Sequence, residues 1–223
     1  MEIVPRPSPN CGERRGGLRP TLVVLHYTAM RTTAAALDRL CDPGAEVSAH
    51  YLVDEAGAVF GLVPEALRAW HAGAGAWAGA GDVNSRSIGI ELQNDGRSPF
   101  PERQMATLER LLGDVMARWA IAPEGVIAHS DMAPERKVDP GPRFDWRRLA
   151  RAGLSVWPEP GAPGDFRADA RLFGYPDVAD DLLLAAVRLR FRPWASGPLD
   201  ETDRAIMAAL AARWPVDRKA GAA

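Results

Sequence analysis

The sequence predicts an α/β layer fold followed by a small, all-helical C-terminal domain. Apolar runs typical of buried strands alternate with amphipathic helical segments up to about residue 152, and this alternation favours helices packed on a sheet. A stretch rich in Pro and Gly then precedes a remainder that is helical. The predicted organisation is an irregular lead-in over residues 1–19, an α/β domain over 20–156, a linker over 157–164 and a helical domain over 165–223.

The first elements of the α/β part follow from short local patterns. Leu22–Leu25 is an apolar run that suits a buried strand. Residues 32–40 show an apolar face at helical spacing, with a threonine available to cap the helix. Two further runs, residues 49–53 and 58–63, flank an acidic turn that ends in glycine, and this arrangement predicts a β-hairpin.

The second half of the α/β part contains the clearest strand and the clearest helix. Residues 73–81 alternate Gly and Ala around one tryptophan, which predicts a flexible loop. Residues 87–93 place their large apolar side chains on one face of a strand, and residues 101–119 repeat apolar side chains at helical spacing. A last short run, residues 126–128, predicts a strand that ends at His129.

Two helices are predicted in the C-terminal domain, over residues 180–191 and 200–214. Each helix has one apolar stripe at helical spacing, which predicts the face that it buries. The predicted stripe of the first helix consists of Leu182, Ala185, Ala186 and Leu189. The predicted stripe of the second helix consists of Ile206, Met207, Leu210 and Trp214.

Composition excludes several classes of function. Lys and Arg number 27 against 29 acidic residues, and a formal net charge of −2 gives no field that would attract nucleic acid. The two cysteines, Cys11 and Cys41, lie far apart in the sequence, which excludes a thiolate-rich metal site. No apolar segment is long enough for a membrane span, and the N-terminus lacks a signal region. We expect a cytoplasmic monomer, although a trimmed periplasmic protein would look the same.

Three residues have the pattern of a catalytic metal site. His26 and His129 each end an apolar strand, and Asp139 follows His129 by ten residues. Functional side chains of α/β folds gather at strand ends on one edge of the sheet. Two imidazoles and one carboxylate, with a fourth position left for water, are typical of catalytic zinc. The alternatives are packed or exposed histidines and an aspartate that forms a turn.

Two further residues are candidates for the chemistry beside such a metal. Glu91 shares a strand face with Gly89 and lies opposite the isoleucines, so its carboxylate could accept a proton from a metal-activated water. The alternative is a strand residue that faces solvent. Lys137 could stabilise the oxyanion of a tetrahedral intermediate. The adjacent Arg136 indicates the alternative of a solvated basic turn.

Five segments occur in the order typical of one enzyme family and together span about residues 20–150. They are residues 25–28 (LHYT), 48–53 (SAHYLV), 69–73 (AWHAG), 84–92 (NSRSIGIEL) and 129–142, the last of which is very specific. The chain resembles the zinc-dependent N-acetylmuramoyl-L-alanine amidases of the AmpD-like, type-2 family. Phage amidases and peptidoglycan recognition proteins share that fold, which is a central mixed β-sheet flanked by helices.

The resemblance implies a role for each candidate residue. Zinc would be bound by His26, His129 and Asp139, with Glu91 as the general base and Lys137 as the oxyanion stabiliser. The bond cleaved would be the amide between N-acetylmuramic acid, or its 1,6-anhydro form, and L-alanine of the stem peptide. The alternatives are a non-catalytic peptidoglycan-binding module and a zinc hydrolase of another amide.

The resemblance also bears on how substrate is bound. Trp70, His71 and Asn84 are candidate substrate contacts, although Asn84 fits a turn equally well. Residues 165–215 resemble a small helical peptidoglycan-binding domain, and the alternative is a module that only packs on the catalytic domain. The missing signal region favours soluble anhydro-muropeptides as the substrate, whereas a wall-binding domain favours intact sacculi.

Overall fold

A computed structural model of the protein describes residues 1–216. The β-strands are β1 (Ile3–Pro5), β2 (Cys11–Gly12), β3 (Leu22–Tyr27), β4 (Tyr51–Val53), β5 (Val59–Gly61), β6 (Arg68–Ala69), β7 (Ser87–Leu92) and β8 (Val126–Ala128). The α-helices are α1 (Thr33–Cys41), α2 (Val83–Arg86), α3 (Glu102–Trp119), α4 (His129–Met132), α5 (Trp146–Arg151), α6 (Phe166–Phe173), α7 (Asp180–Phe191) and α8 (Glu201–Arg213). None of these helices has the length and hydropathy that crossing a bilayer requires.

The central sheet is mixed, which confirms the predicted fold class. Its six strands are ordered β1-β5-β4-β7-β3-β8, and only the β4–β5 hairpin is antiparallel. In the parallel β3–β7 pair His26 stands opposite Glu91, and in the parallel β3–β8 pair Leu25 stands opposite Ala128. The carboxyl ends of three neighbouring strands therefore place Glu91, His26 and His129 side by side.

Both faces of the sheet are covered, because side chains alternate between them along each strand. The apolar residues of α3 pack against one face, which includes Val23, Leu25 and Ile90. The other face includes Val24, which lies in one apolar cluster with Ile127 and the C-terminal helices. His26 lies on this second face, near the carboxyl end of β3.

The C-terminal helices share a core with the sheet. Phe173, Phe191 and Leu210, one from each of α6, α7 and α8, are buried in the cluster that contains Val24. Trp157, in the segment predicted to be a linker, packs against the same cluster, and residues 157–164 contain neither helix nor strand. The helical segment is thus attached to the α/β part by continuous apolar packing.

Three details differ from the sequence predictions. The lead-in over residues 1–19 is not wholly irregular, since β1 pairs in parallel with β5 at the edge of the sheet. This strand is too short for its sequence to show a periodic pattern. The loop 73–81 is anchored and not free, because Trp77 is fully buried and Arg86 donates hydrogen bonds to the carbonyl oxygens of Trp77 and Ala80.

The third difference is the buried face of α7. The predicted stripe is wrong, since Ala185 is exposed and Leu182 and Leu189 are only half-buried. The buried side chains of this helix are Leu183, Ala186, Val187, Arg188, Arg190 and Phe191. The buried face of α7 therefore differs from the predicted apolar stripe because it includes two arginines. Each arginine forms an ion pair with an aspartate: Arg188 with Asp203, and Arg190 with Asp131. For α8 the predicted stripe is confirmed, with Trp214 half-buried at its end.

Candidate active site

A cavity of about 340 Å³ opens at the carboxyl ends of β3, β7 and β8. It contains all five residues to which the sequence assigned metal binding or chemistry. They are His26, Glu91, His129, Lys137 and Asp139. All five come from the strands, from the start of α4 or from the loop after α4, so the fold brings together residues up to 113 positions apart.

Three donor atoms meet at the floor of this cavity. His26 Nδ1 lies 2.9 Å from His129 Nδ1 and 2.9 Å from Asp139 Oδ2, and His129 Nδ1 lies 3.0 Å from Asp139 Oδ2. We call these three atoms the donor triangle. All three side chains are buried, and over residues 1–216 they form a group of the kind that can hold a metal ion.

The chemistry of the donor triangle fits a cation. His129 Nε2 lies 2.9 Å from the carbonyl oxygen of Ala72, which can only accept, so Nε2 carries the proton of the neutral ring and Nδ1 offers a lone pair. Asp139 contributes a carboxylate oxygen to the same point. A lone pair and a negative charge at 3.0 Å need a positive species between them, and two imidazoles with one carboxylate are an ordinary ligand set for zinc.

The ionisation of the donors favours a divalent ion. Burial, and then the neighbouring His129, lowers the pKa of His26 to about 4, so its ring is neutral at pH 7. Burial alone would raise the pKa of Asp139, but the adjacent side chains of His129 and His26 hold that pKa well below its usual range. His26 and Asp139 together therefore carry one negative charge. A divalent cation bound between them would more than balance this charge.

Glu91 faces the cavity from β7, beside His26. Its Oε2 atom is buried and has no hydrogen-bond partner within the described part of the chain. Burial first, and then the Asp139 carboxylate, raises the pKa of Glu91 to about 8, against a smaller opposing effect of Lys137. A carboxyl group whose pKa lies near neutral pH can both accept and return a proton during one reaction.

Glu91 makes the stability of the metal-free protein depend on pH. Its pKa rises from 4.5 in an unstructured chain to about 8 in the fold, so its contribution is complete below pH 4.5 and is lost as the pH rises through about 8. We expect Glu91→Gln, which cannot titrate, to gain thermal stability relative to wild type over that interval. Melting curves of both proteins in chelator at about pH 5, 7 and 9 measure this difference, and a constant difference would contradict it.

Lys137 and Arg136 both line the cavity but have different surroundings. Lys137 is half-buried, whereas Arg136 is exposed and donates hydrogen bonds to the carbonyl oxygens of Ala72 and Ala74. Arg136 fixes the segment that carries the hydrogen-bond acceptor of His129, and Lys137 forms part of the cavity wall.

The three candidate substrate contacts have different surroundings. Trp70 is half-buried and lines the cavity. His71 also lines it but is buried, and both of its ring nitrogens contact protein atoms. Asn84 is not part of the lining, because its Oδ1 accepts hydrogen bonds from the backbone N–H groups of His71 and Ala72. Asn84 thus holds the segment that carries His71 from its position in α2.

Several residues that line the cavity were not predicted from the sequence, among them Arg39 and Tyr27. Arg39, on α1, is exposed at the cavity, and the helical spacing of residues 32–40 contains no signal for this position. Tyr27 ends β3 directly after His26. The sequence did contain a signal for Tyr27, because it directly follows His26 in the LHYT segment. The residue after a ligand at a strand end lies at the same edge of the sheet.

The fold and the cavity have the features of one class of proteins: hydrolases that hold a single metal ion through nitrogen and oxygen ligands and keep a base beside it. A more specific assignment comes from comparison with known proteins. The family model for N-acetylmuramoyl-L-alanine amidase matches residues 16–142, and the chain belongs to this family.

Curated relatives agree with this assignment. N-acetylmuramoyl-L-alanine amidase AmiD of Escherichia coli is 37% identical, over 89% of this chain and 85% of AmiD. The 1,6-anhydro-N-acetylmuramyl-L-alanine amidase AmpD of Enterobacter cloacae is 34% identical, over 64% of this chain and 86% of AmpD. The AmpD match covers less of this chain than the AmiD match does.

Solved structures extend the likeness over nearly the whole chain. Escherichia coli AmiD, in complex with the substrate anhydro-N-acetylmuramic acid-L-Ala-D-γ-Glu-L-Lys, superimposes with a TM-score of 0.81 at 36% identity, covering 92% of this chain and 93% of AmiD. AmpDh3 of Pseudomonas aeruginosa superimposes with a TM-score of 0.81 at 33% identity, covering 90% and 94%. Both superpositions extend beyond the family-model match, which ends at residue 142.

Proposed function

We propose that this protein is a zinc-dependent amidase that cleaves the bond between the lactyl group of N-acetylmuramic acid and L-alanine of the stem peptide. The observation that carries the proposal is the donor triangle with Glu91 beside it, inside the segment that the family model matches. The likeness to AmiD, whose complex contains an anhydro-muramyl peptide, supports the substrate class. We propose the 1,6-anhydro form as a substrate on the same ground.

Zinc is the metal that the donor set favours. Two imidazole nitrogens and one carboxylate oxygen match the three-ligand set of catalytic zinc, whereas magnesium and calcium prefer oxygen donors throughout. His26, His129 and Asp139 would hold the ion. Bound there, zinc would polarise the scissile carbonyl and lower the pKa of an attacking water to about 7.

Two residues of this chain would carry the proton and charge movements. Glu91 would accept a proton from the attacking water and deliver it to the nitrogen of the departing L-alanine, a transfer that suits its raised pKa. Lys137 would place a positive charge near the carbonyl oxygen as that oxygen becomes negative. Trp70, on the cavity wall, would contact the substrate.

A second surface supports contact with the wall polymer as well. A groove of about 750 Å³ lies between α5 and the C-terminal helices, and Trp157, Trp194 and Trp214 line it together with Arg147 and Arg151. Trp194 is 74% exposed, which is unusual for so large an apolar side chain. We propose that the C-terminal helices bind peptidoglycan through this groove in addition to packing on the sheet.

The proposed activity is tested by mass spectrometry of reaction products. The zinc-loaded protein should release an intact peptide that begins with L-alanine from a 1,6-anhydro-muropeptide, and chelation should stop the release. A peptidase would instead cut within the peptide, and a binding module would release nothing, so either result would overturn the proposal. Intact sacculi run in parallel test the polymer, and Trp194→Ala should slow release from sacculi only.

A further inference from the structure

His26 is linked through its second nitrogen to a chain of three buried groups. His26 Nε2 lies 3.0 Å from His71 Nδ1, and His71 Nε2 lies 3.1 Å from the hydroxyl oxygen of Ser87. That hydroxyl lies 2.6 Å from the carbonyl oxygen of Val83. His26, His71 and Ser87 are all buried, so water does not compete for these hydrogen bonds.

The end of the chain fixes the position of every proton in it. The Val83 carbonyl has no proton to give, so the Ser87 hydroxyl donates to it and must then accept from His71 Nε2. A neutral His71 that carries its proton on Nε2 has a lone pair on Nδ1. This lone pair accepts from His26 Nε2–H, and the neutral His26 ring is left with a lone pair on Nδ1.

We infer that His71 is a positioning residue that selects the metal-binding tautomer of His26. Without an acceptor on its far side, neutral His26 could place its proton on Nδ1, inside the donor triangle, where that proton would block a metal ion. With His71 Nδ1 as acceptor, His26 presents a lone pair to the same point as His129 Nδ1 and Asp139 Oδ2. This role differs from the substrate contact that the sequence suggested for His71.

The surrounding chain is built to hold the His71 ring. A Cβ atom on Gly89 would lie 2.4 Å from His71 Cγ and 2.7 Å from His71 Nδ1, so any side chain at this point of β7 would displace the ring. On the backbone side, Asn84 Oδ1 accepts from the His71 N–H group at 3.0 Å. Gly89 and Ser87 lie on the same strand as Glu91. One strand therefore carries both the proposed base and the two residues that contact the His71 ring.

A neutral imidazole has a specific advantage as the acceptor. Metal-bound histidines usually donate their other N–H to a carboxylate, a backbone carbonyl or water. A carboxylate in place of His71 would add a second negative charge near the Asp139 and Glu91 carboxyl groups, and burial would make that charge costly. The imidazole ring fixes the tautomer without adding charge to the site.

The matched variants His71→Leu and His71→Asn test the inference, because they have nearly the same shape and only Asn offers an acceptor. In the metal-free protein, long-range ¹H–¹⁵N NMR spectra report which ring nitrogen of His26 carries the proton. We expect Nε2–H in wild type and in His71→Asn, and a population of Nδ1–H in His71→Leu. A His26 ring that remains wholly Nε2–H in His71→Leu would overturn the inference. This measurement needs neither zinc nor substrate, so it stands apart from the proposed amidase activity.

Zinc affinity, measured by competition with a chromophoric chelator, provides the second readout. Loss of such a partner typically weakens metal binding about 10–100-fold, and we expect this range for His71→Leu and affinity close to wild type for His71→Asn. Equal affinity in the two variants would contradict a role for the acceptor. If His71→Leu does not fold, Ser87→Ala serves instead, because it frees His71 to reverse its tautomer and should also bring Nδ1–H into the His26 spectrum.

Discussion

Glu91→Gln is expected to abolish amide hydrolysis while zinc still binds. Gln keeps the volume and the planar end of the side chain but cannot accept a proton, and general-base contributions are typically about 10²–10⁴-fold in rate. Glu91 is not part of the donor triangle, so its replacement leaves the three donors in place. The measurement is kcat/KM for peptide release from an anhydro-muropeptide, with zinc content determined on the same samples.

Glu135→Gln provides a matched control for this experiment. Glu135 is exposed in the loop between His129 and Asp139, so its replacement makes the same Glu-to-Gln substitution near the site without touching the cavity lining. Its activity should equal that of wild type. Turnover within about tenfold of wild type in Glu91→Gln would remove Glu91 as the base. Loss of zinc together with activity would indicate that Glu91 supports the metal instead.

The site was predictable from sequence where its residues are local to strand ends. His26 and His129 follow apolar runs, and parallel strands end at one sheet edge, so their proximity follows from the pattern. The pairing of His26 with Glu91 does not follow, because register depends on how β3 and β7 pack and not on either strand alone. The family resemblance, and not spacing, connected those two residues.

The sequence revealed least where polar side chains are buried. His71 had the pattern of a substrate contact, because nothing local shows that Ser87 and His26 occupy its two ring nitrogens. The apolar stripe predicted for α7 was wrong for a similar reason, because Arg188 and Arg190 are buried on the face that packs. Arginine is rarely buried unless it has a partner, and the partner of Arg190 lies 59 residues away in the chain. Such pairs can be recognised only after the fold has brought them together.

Arg190 connects the C-terminal helices to the strand that carries His129. Its guanidinium nitrogens lie 2.5 Å from Asp131 Oδ2 and 3.0 Å from the carbonyl oxygen of Val126 in β8. Its Cζ atom lies 4.3 Å from the centroid of the Trp146 ring. Asp131 also accepts hydrogen bonds from the Tyr175 hydroxyl and from the backbone N–H of Ala128. Both charged side chains are fully buried. The turn from β8 into α4, where His129 lies, is therefore held by an ion pair that reaches across from α7.

Arg190→Met is expected to be the most destabilising of the substitutions considered. It preserves most of the apolar volume but leaves the Asp131 carboxylate buried without a cation, and breaking such a pair costs about 3–5 kcal/mol. For a protein of this size each kcal/mol lowers the Tm by about 2–4 °C, so a fall of about 6–20 °C should be seen by calorimetry. Zinc affinity should fall as well, because His129 directly follows the strand that Arg190 holds.

Arg167→Met separates this effect from the general loss of an arginine. Arg167 forms ion pairs with Asp177 and Asp180 at the surface, where such pairs contribute less than about 1 kcal/mol. The double variant Asp131→Asn/Arg190→Met should recover part of the lost stability, because no unpaired charge then remains buried. Equal melting temperatures for Arg190→Met and Arg167→Met would show that the Arg190–Asp131 ion pair stabilises the protein no more than a surface ion pair does.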